Sequence, residues 1–219
     1  SQVSASPTAG FSVVTYTGTG ANATVGHGLG AVPKMVIVKA RSFAVDWPVY
    51  HQSVGATGAA FLNLTNAPNL AGAVFWNNTQ PTSSVFSLGT NAAMNQSSST
   101  YVAYCFSEVP GYSKFGSYVG NGSTDGVFVY LGFRPAFVIT KGSSAAEGWT
   151  IWDSSRALNN TASNFLYANA SNAEATPAEI DFLSNGFKLR NVSSQGNVSG
   201  RTYIYMAFAE NPFKNSLAR

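Results

Sequence analysis

The chain carries the same pattern twice, and this repeat limits the folds that it can adopt. The pattern appears when the 219-residue sequence is compared with itself at a shift of 102 positions. The matches fall into two blocks and consist mostly of aromatic, glycine and proline residues. They include Tyr16 and Tyr118, Gly18 and Gly120, Gly30 and Gly132, Pro33 and Pro135, Trp47 and Trp149, Asn95 and Asn197, Tyr101 and Tyr203, and Pro110 and Pro212. Two blocks at one offset indicate an internal duplication.

The duplication predicts how the chain is divided. Residues 1–10 are of low complexity and are interpreted as a linker or N-terminal arm. Residues 11–110 form the first β repeat, and residues 111–219 form the second repeat with a short C-terminal tail. The pair Pro110-Gly111 marks a turn between them. Because this connection is short, we expect the two copies to pack together with pseudo-twofold symmetry.

The composition favours an all-β fold. Only 10% of the residues are charged, whereas about 25% is usual, and the difference is made up by glycine, serine, threonine, asparagine and aromatic residues. Such a sequence favours short strands joined by many turns. We predict two β-sandwich-like units, with strands beginning near Pro33 and Pro135 and with central strands at 101–106 and 203–208. A short helical turn is expected near 154–158.

Several classes of function are not expected. The basic residues are scattered and the net charge is +3, whereas nucleic-acid binding needs a clustered cationic face. No apolar stretch is long enough to insert into a membrane. Cys105 is the only cysteine, so no intrachain disulfide or cysteine metal cluster can form. We expect Cys105 to be a small buried hydrophobic residue, and we expect no cofactor or metal.

The sequence contains no recognisable catalytic motif, and we predict that the protein is not an enzyme. The repeat-equivalent acids Glu108 and Glu210 lie at predicted strand ends, where a capping or turn contact is the favoured interpretation. A glycan hydrolase, which needs two placed carboxylates, stays open as a minor alternative. Asp125 lies in an Asn/Gly-rich segment that favours a turn, with a calcium loop as the alternative.

Aromatic residues next to polar ones are the candidates for a ligand site, since a ring can stack on a sugar while its neighbours bind hydroxyl groups. The candidates are Trp47, Tyr50 and His51 in the first copy, Trp149, Trp152, Asp153 and Arg156 in the second copy, and Trp76, which has no obvious counterpart and is a separate surface candidate. A tryptophan repeated between copies is more often a core residue. Both interpretations stay open, and the core is favoured.

Several strings of residues resemble a domain of unknown function found in tailed bacteriophages, many of them marine. The resemblance covers most of residues 11–213 and rests on residues 26–30, 36–39, 47–51, 101–106, 111–118, 120–122, 132–137, 181–187 and 207–212. It implies a protein of the virion surface, in a tail fibre or another appendage. It assigns no catalytic or binding residue.

The resemblance and the aromatic segments together lead to two hypotheses. The first is a module for host recognition or adhesion that binds a cell-surface glycan weakly and many times over. The alternative is a structural virion protein, such as a capsid decoration or fibre-building subunit, that binds no ligand. In both cases we expect a homo-oligomer, a trimer in a fibre, in contact with other virion proteins on the outside of the particle.

Overall fold

A computed structural model describes residues 1–156, 161–176 and 179–210. The chain is 44% strand and 4% helix, which confirms the all-β prediction. Two compact units are present. The first contains Ser1–Leu64 and Pro68–Glu108, and the second contains Thr65–Ala67 and the chain from Val109 onward.

Each unit is built from short strands. Those of the first unit are β1 (Gln2–Ser6), β2 (Phe11–Thr17), β3 (Ala23–Gly26), β4 (Pro33–Ala40), β5 (Pro48–His51), β6 (Ala60–Phe61), β7 (Val85–Leu88) and β8 (Thr100–Ser107), with the helices α1 (Gly72–Trp76) and α2 (Ala92–Asn95). Those of the second unit are β9 (Ser113–Val119), β10 (Phe128–Tyr130), β11 (Pro135–Gly142), β12 (Trp149–Asp153), β13 (Thr161–Ala162), β14 (Leu166–Tyr167), β15 (Ile180–Leu183), β16 (Gly186–Leu189) and β17 (Thr202–Ala209).

The first unit is a sandwich of two antiparallel sheets. The larger sheet has the strand order β1-β2-β8-β4-β5-β6, and the smaller one pairs β3 with β7. Both sheets supply side chains to one core, for example Val14 and Tyr101 from the larger sheet and Val25 and Phe86 from the smaller one. This shared core is what makes the unit a β-sandwich.

The second unit has the same kind of architecture. Its larger sheet has the order β14-β12-β11-β17-β9, and its smaller sheet has the order β10-β16-β15-β13. Val138 and Tyr203 from the larger sheet meet Val129, Phe182 and Leu189 from the smaller sheet in one core. Strands β8 and β17 lie inside their sheets, so the prediction of central strands at 101–106 and 203–208 is confirmed.

Proline sets the start of a strand in each unit, as predicted. Strand β4 begins at Pro33 and β11 begins at Pro135. The register with the neighbouring strand shifts directly after each proline, between Pro33 and Met35 and between Pro135 and Phe137. Because proline has no N–H group to donate to the ladder, the start of a strand or a bulge is where a sheet tolerates it.

Hydrogen bonds that involve matched positions recur in the two units. The hydroxyl of Tyr16 donates to the carbonyl of Met94 at 2.7 Å, and that of Tyr118 donates to Gly196 at 2.9 Å. In both bonds the donor and the acceptor are shifted by 102 residues. The stacked rings Tyr16–Tyr101 and Tyr118–Tyr203 follow the same shift, with 15° between the ring planes in each case.

The structure differs from the sequence-based expectation in two places. Residues 2–6 of the predicted linker form strand β1, which pairs with β2 along its whole length. The short helices α1 and α2 were not predicted. The helical turn expected near 154–158 falls partly outside the described residues, and the C-terminal tail beyond residue 210 falls wholly outside them.

Candidate functional site

Most of the aromatic residues that the sequence marked for a sugar site are buried in the cores. Exposure is 3% for Tyr50 and 1% for Trp76, and these two rings meet edge to face at 5.8 Å. In the second unit Trp149 and Trp152 are 2% and 0% exposed. His51 is likewise buried. None of these five side chains offers a free face for stacking, so the core interpretation is favoured and the surface position expected for Trp76 is wrong.

Trp47 differs from the other tryptophans because it is half-buried. The ammonium group of Lys39 lies 5.6 Å from the centre of its ring, a cation–π arrangement. The side-chain oxygen of Asn63 accepts a hydrogen bond from its backbone N–H at 2.9 Å. Trp47 is thus held in place by local contacts and keeps only part of its surface in contact with solvent.

The last two sequence candidates, Asp153 and Arg156, meet on the surface of the second unit. The Nε atom of Arg156 lies 2.5 Å from a carboxylate oxygen of Asp153. The Nη1 atom of Arg156 lies 2.9 Å from a carboxylate oxygen of Glu174. Asn164 donates to the other oxygen of Glu174 at 2.6 Å. These polar groups satisfy one another, and no exposed aromatic ring lies among the contacts that hold them together.

A different surface of the second unit carries exposed aromatic rings. Strand β10 alternates strictly, with Phe128 43% exposed, Val129 7% exposed and Tyr130 59% exposed. Successive side chains of a strand point to opposite faces. Val129 therefore enters the core, and the two aromatic rings lie side by side on the outer face of the smaller sheet. We call this surface the β10 face; its residues are Phe128, Tyr130, Asp125, Asp181, Gly186, Lys188 and Arg190.

Strand pairing determines what lies next to the two rings. Phe128 is directly opposite Lys188, which is in turn opposite Asp181, so these three residues share one face. Tyr130 is opposite Gly186. A Cβ atom at Gly186 would lie 2.1 Å from the carbonyl oxygen of Val129. Only glycine fits there, because the backbone of Val129 and the ring of Phe128 fill the space that a side chain would take.

A chain of ion pairs borders the rings. Asp125 lies 2.6 Å from the ammonium of Lys188 and 3.5 Å from Arg190, and Arg190 lies 2.5 Å from Asp181. The hydrogen bond from Lys188 lowers the pKa of Asp125, and the hydrogen bond to Asp181 raises the pKa of Arg190. The carboxylate of Asp125 is 81% exposed. It therefore stays ionised, with most of its surface available to accept hydrogen bonds.

Lys114 fixes the position of Tyr130. Its ammonium lies 5.1 Å from the centre of the tyrosine ring and donates to the carbonyl of Tyr130 at 3.1 Å. A cation over an aromatic ring restricts how the ring can turn. Tyr130 is consequently held at the edge of the sheet although more than half of it is in contact with solvent.

The contacts of Asp125 favour the predicted turn over a calcium loop. Its N–H donates to Ser123, and its carbonyl accepts from the side chain of Asn121. Lys188 and Arg190 neutralise its carboxylate, which leaves little for a metal ion to gain. No group of three or more metal-ligating side chains occurs within residues 1–156, 161–176 and 179–210. Glu210, one of the two acids considered as catalytic carboxylates of a glycan hydrolase, forms an ion pair with Arg134 at 3.3 Å.

The corresponding surface of the first unit carries no aromatic ring among the described residues. The outward residues of β3 and β7 are Thr24, Gly26, Val85 and Ser87, and Thr24 is exposed. The β10 face is therefore a feature of the second unit alone. Sequence reasoning missed Phe128 and Tyr130, although a signal was present: the positions that match them in the first copy are Gly26 and Gly28.

Comparisons with known proteins place the chain in a family. No curated protein and no solved structure matches it significantly. In the part of the chain that the structure describes, no helix has the length and apolar character needed to span a bilayer. A family model described as a domain of unknown function (DUF7483) matches residues 1–212. The chain belongs to this family.

Proposed function

We propose that this chain is a glycan-binding adhesion module on the surface of a bacteriophage particle, in a tail fibre or a comparable appendage. The virion part of the proposal rests on the resemblance of the quoted sequence segments to a phage protein domain. The glycan part rests on the β10 face. Its location differs from the one expected from the sequence, because three of the four tryptophans marked there are buried and Trp47 is half-buried.

The single observation that carries the proposal is the exposed pair Phe128 and Tyr130 beside the charged row Asp125, Lys188 and Arg190. Apolar faces of sugar rings stack on aromatic side chains, and carboxylate and cationic groups bind the hydroxyls at the ring edge. Soluble proteins leave aromatic residues on the surface less often than they bury them, and clustered exposed apolar groups mark interaction sites.

A comparison of the two units supports the same proposal. We infer that both units descend from one sandwich, since matched residues make matched contacts, such as those of Tyr16 and Tyr118. In the first unit the outward residues of the smaller sheet are small or aliphatic, whereas in the second unit two of them are the exposed Phe128 and Tyr130. A scaffold that keeps its core and changes one surface is typical of binding modules, in which the site is grafted onto the fold.

A glycan array that displays bacterial surface polysaccharides tests the proposal. Each exposed ring contributes about 1–2 kcal/mol of apolar burial, so the double variant Phe128→Ser/Tyr130→Ser should bind at least about tenfold more weakly. Val119→Ser is the matched control, because Val119 is an apolar residue of the same unit that is 54% exposed and lies outside the β10 face. Equal binding by wild type and double variant, or no glycan bound by the wild type, contradicts the proposal.

A structural subunit that forms homo-oligomers, with a trimer expected for a fibre, is the second candidate. The observation that favours it is β1, an edge strand whose five residues are all exposed and none of which is charged or proline. Proteins usually protect such edges against pairing with another chain. If β1 joins subunits, native mass spectrometry should show an oligomer that the variant Val3→Lys dissociates. A monomeric wild type, or an oligomer unaffected by the variant, speaks against this role.

A further inference from the structure

The first unit has a polar depression that the proposed function does not use. It has a volume of about 280 Å³ and lies at one end of the larger sheet. Its lining includes Gln2, Thr15, Thr17, Arg41 and Thr100. Known ligand pockets range upward from about 300 Å³, so the space suits one small polar group or a single sugar ring.

Strand pairing brings these side chains onto one surface. Thr17 is directly opposite Thr100, and the N–H of Arg41 donates to the carbonyl of Thr100 at 2.8 Å, which continues the row across a third strand. Gln2 on β1 is opposite Thr15. Residues directly opposite each other in an antiparallel sheet share a face. The threonine hydroxyls and the guanidinium of Arg41 therefore surround the same space, and β1 forms one wall.

The guanidinium of Arg41 differs from those of the other arginines that the structure describes. Arg134, Arg156, Arg190 and Arg201 are each paired with a carboxylate. Within the described ranges, Arg41 has neither an ion pair nor a side-chain hydrogen bond. The hydroxyls of Thr15, Thr17 and Thr100 make no hydrogen bond to the described protein groups either. The N–H donors of the Arg41 guanidinium and the three threonine hydroxyls thus lie together, and none has a hydrogen-bond partner among the described residues.

We infer that this depression binds an acidic sugar, with its carboxylate on Arg41 and its hydroxyls on the threonines. An arginine binds a carboxylate through two parallel N–H···O bonds, a geometry that lysine cannot reproduce. Threonine hydroxyls both donate and accept, as sugar hydroxyls do. The site lies in the first unit and contains no exposed aromatic ring, so it is independent of the β10 face.

The second unit provides an internal comparison. At the positions that match Arg41 and Thr17 it has Ser143 and Val119. Among the described residues of this unit, strand β9 is the edge of the larger sheet and no strand equivalent to β1 pairs with it. The cation, one hydroxyl and the wall of the depression are therefore all specific to the first unit, as expected for a binding site added to one of two similar sandwiches.

The test is a titration of the full chain followed by two-dimensional NMR of its backbone amides. The probes are glucuronate and galacturonate, with glucose and galactose as neutral analogues and inorganic sulfate as a simple anion. At least one uronate should saturate shifts in the amides of Thr15, Thr17 and Thr100. The dissociation constant for the uronate should be in the millimolar range that is usual for single weak sites, a binding free energy of about −4 kcal/mol. The matching neutral sugar should bind at least tenfold more weakly.

Variants separate the site from nonspecific charge effects. Arg41→Gln should abolish the saturable shifts, and Arg41→Lys should weaken them several-fold because the fork is lost. Arg134→Gln, which alters another exposed arginine, should titrate like the wild type, and so should Phe128→Ser/Tyr130→Ser. Equal shifts with the neutral sugars, an unchanged titration of Arg41→Gln, or saturation by sulfate without saturation by either uronate overturns the inference.

Discussion

The hydroxyl group of Tyr118 donates a hydrogen bond of 2.9 Å to the carbonyl oxygen of Gly196, 78 residues further along the chain. This bond ties strand β9 to the loop that precedes the central strand β17. The tyrosine ring also stacks on Tyr203 with 5.4 Å between centroids. Burial raises the pKa of Tyr118 well above its ordinary value, so the hydroxyl keeps its proton and remains a donor at all physiological pH values.

The first prediction concerns this hydroxyl. Tyr118→Phe removes the donor and leaves the buried carbonyl of Gly196 without it, so the second unit should lose about 1–3 kcal/mol of stability. The equivalent variant Tyr16→Phe should cost the first unit a similar amount. Denaturant unfolding measures both, with the exposed Tyr130→Phe as control. A change of less than about 0.5 kcal/mol in both variants, the size of an ordinary surface substitution, contradicts the role of the bond.

The second prediction concerns Asn197, whose side chain is fully buried. Its amide nitrogen donates to the carbonyls of Ser123 and Asn191 at 2.7 and 2.8 Å, and its oxygen accepts from the N–H of Asn121 at 3.0 Å. Asn197→Ala leaves these three backbone groups without their hydrogen-bond partner. The variant should therefore lose at least about 2 kcal/mol of stability. The exposed Asn172→Ala in the same unit is the control. Equal unfolding midpoints for the two variants would show that Asn197 does not hold this turn.

The third prediction concerns acid stability. His27 is buried, accepts a hydrogen bond from the N–H of Leu29 at 3.2 Å, and lies 3.1 Å from the carbonyl of Thr82. Burial lowers its pKa below the ordinary 6.5. As the pH falls below 6.5, the unfolded chain takes up a proton that the folded chain does not, so stability falls toward the lower folded pKa.

His27→Gln should remove that contribution. Its free energy of unfolding should depend less steeply on pH between 6.5 and 4.5 than that of the wild type, whatever its value at pH 7.5. Denaturant unfolding at several pH values gives both curves. Parallel curves over this interval would mean that His27 takes up its proton equally well in the folded state.

The fourth prediction concerns the thiol of Cys105. Burial raises its pKa to about 12. At pH 8 only about one molecule in ten thousand then carries the reactive thiolate. An aromatic disulfide reagent should release no colour from the folded protein and one equivalent from the unfolded protein. Rapid reaction of the folded protein would indicate that the site opens.

The fold was largely predictable from the sequence, because strands and turns leave local signals. Pro33 and Pro135 mark the starts of strands, because proline cannot donate a hydrogen bond to the neighbouring strand. Long apolar runs such as 203–208 indicate strands inside a sheet. Strand β1 was missed, since its small polar residues resemble a linker, although Pro7 and Gly10 in the short turn before β2 are a hairpin signal. The helices α1 and α2 are too short to show a helical period.

The site was harder to predict, because a tryptophan has the same sequence signal in a core and on a surface. Trp152 is buried in the core of the second sandwich, and Trp149, three positions earlier on β12, is buried on the opposite face of the strand. Phe128 and Tyr130 are exposed since they alternate with the buried Val129 and so lie on the outer face of the smaller sheet. The first copy has Gly26 and Gly28 at the matching positions, so comparison of the two copies offered a signal that the sequence analysis did not use.

The most direct test of the proposed glycan site is to map the amide and aromatic NMR signals that shift when a glycan identified on the array is added. The account predicts saturable shifts at Phe128, Tyr130, Asp125 and Lys188, with no comparable change around the buried Trp152. Glycan-dependent shifts confined to other surfaces, with the signals of Phe128 and Tyr130 unmoved, would contradict it.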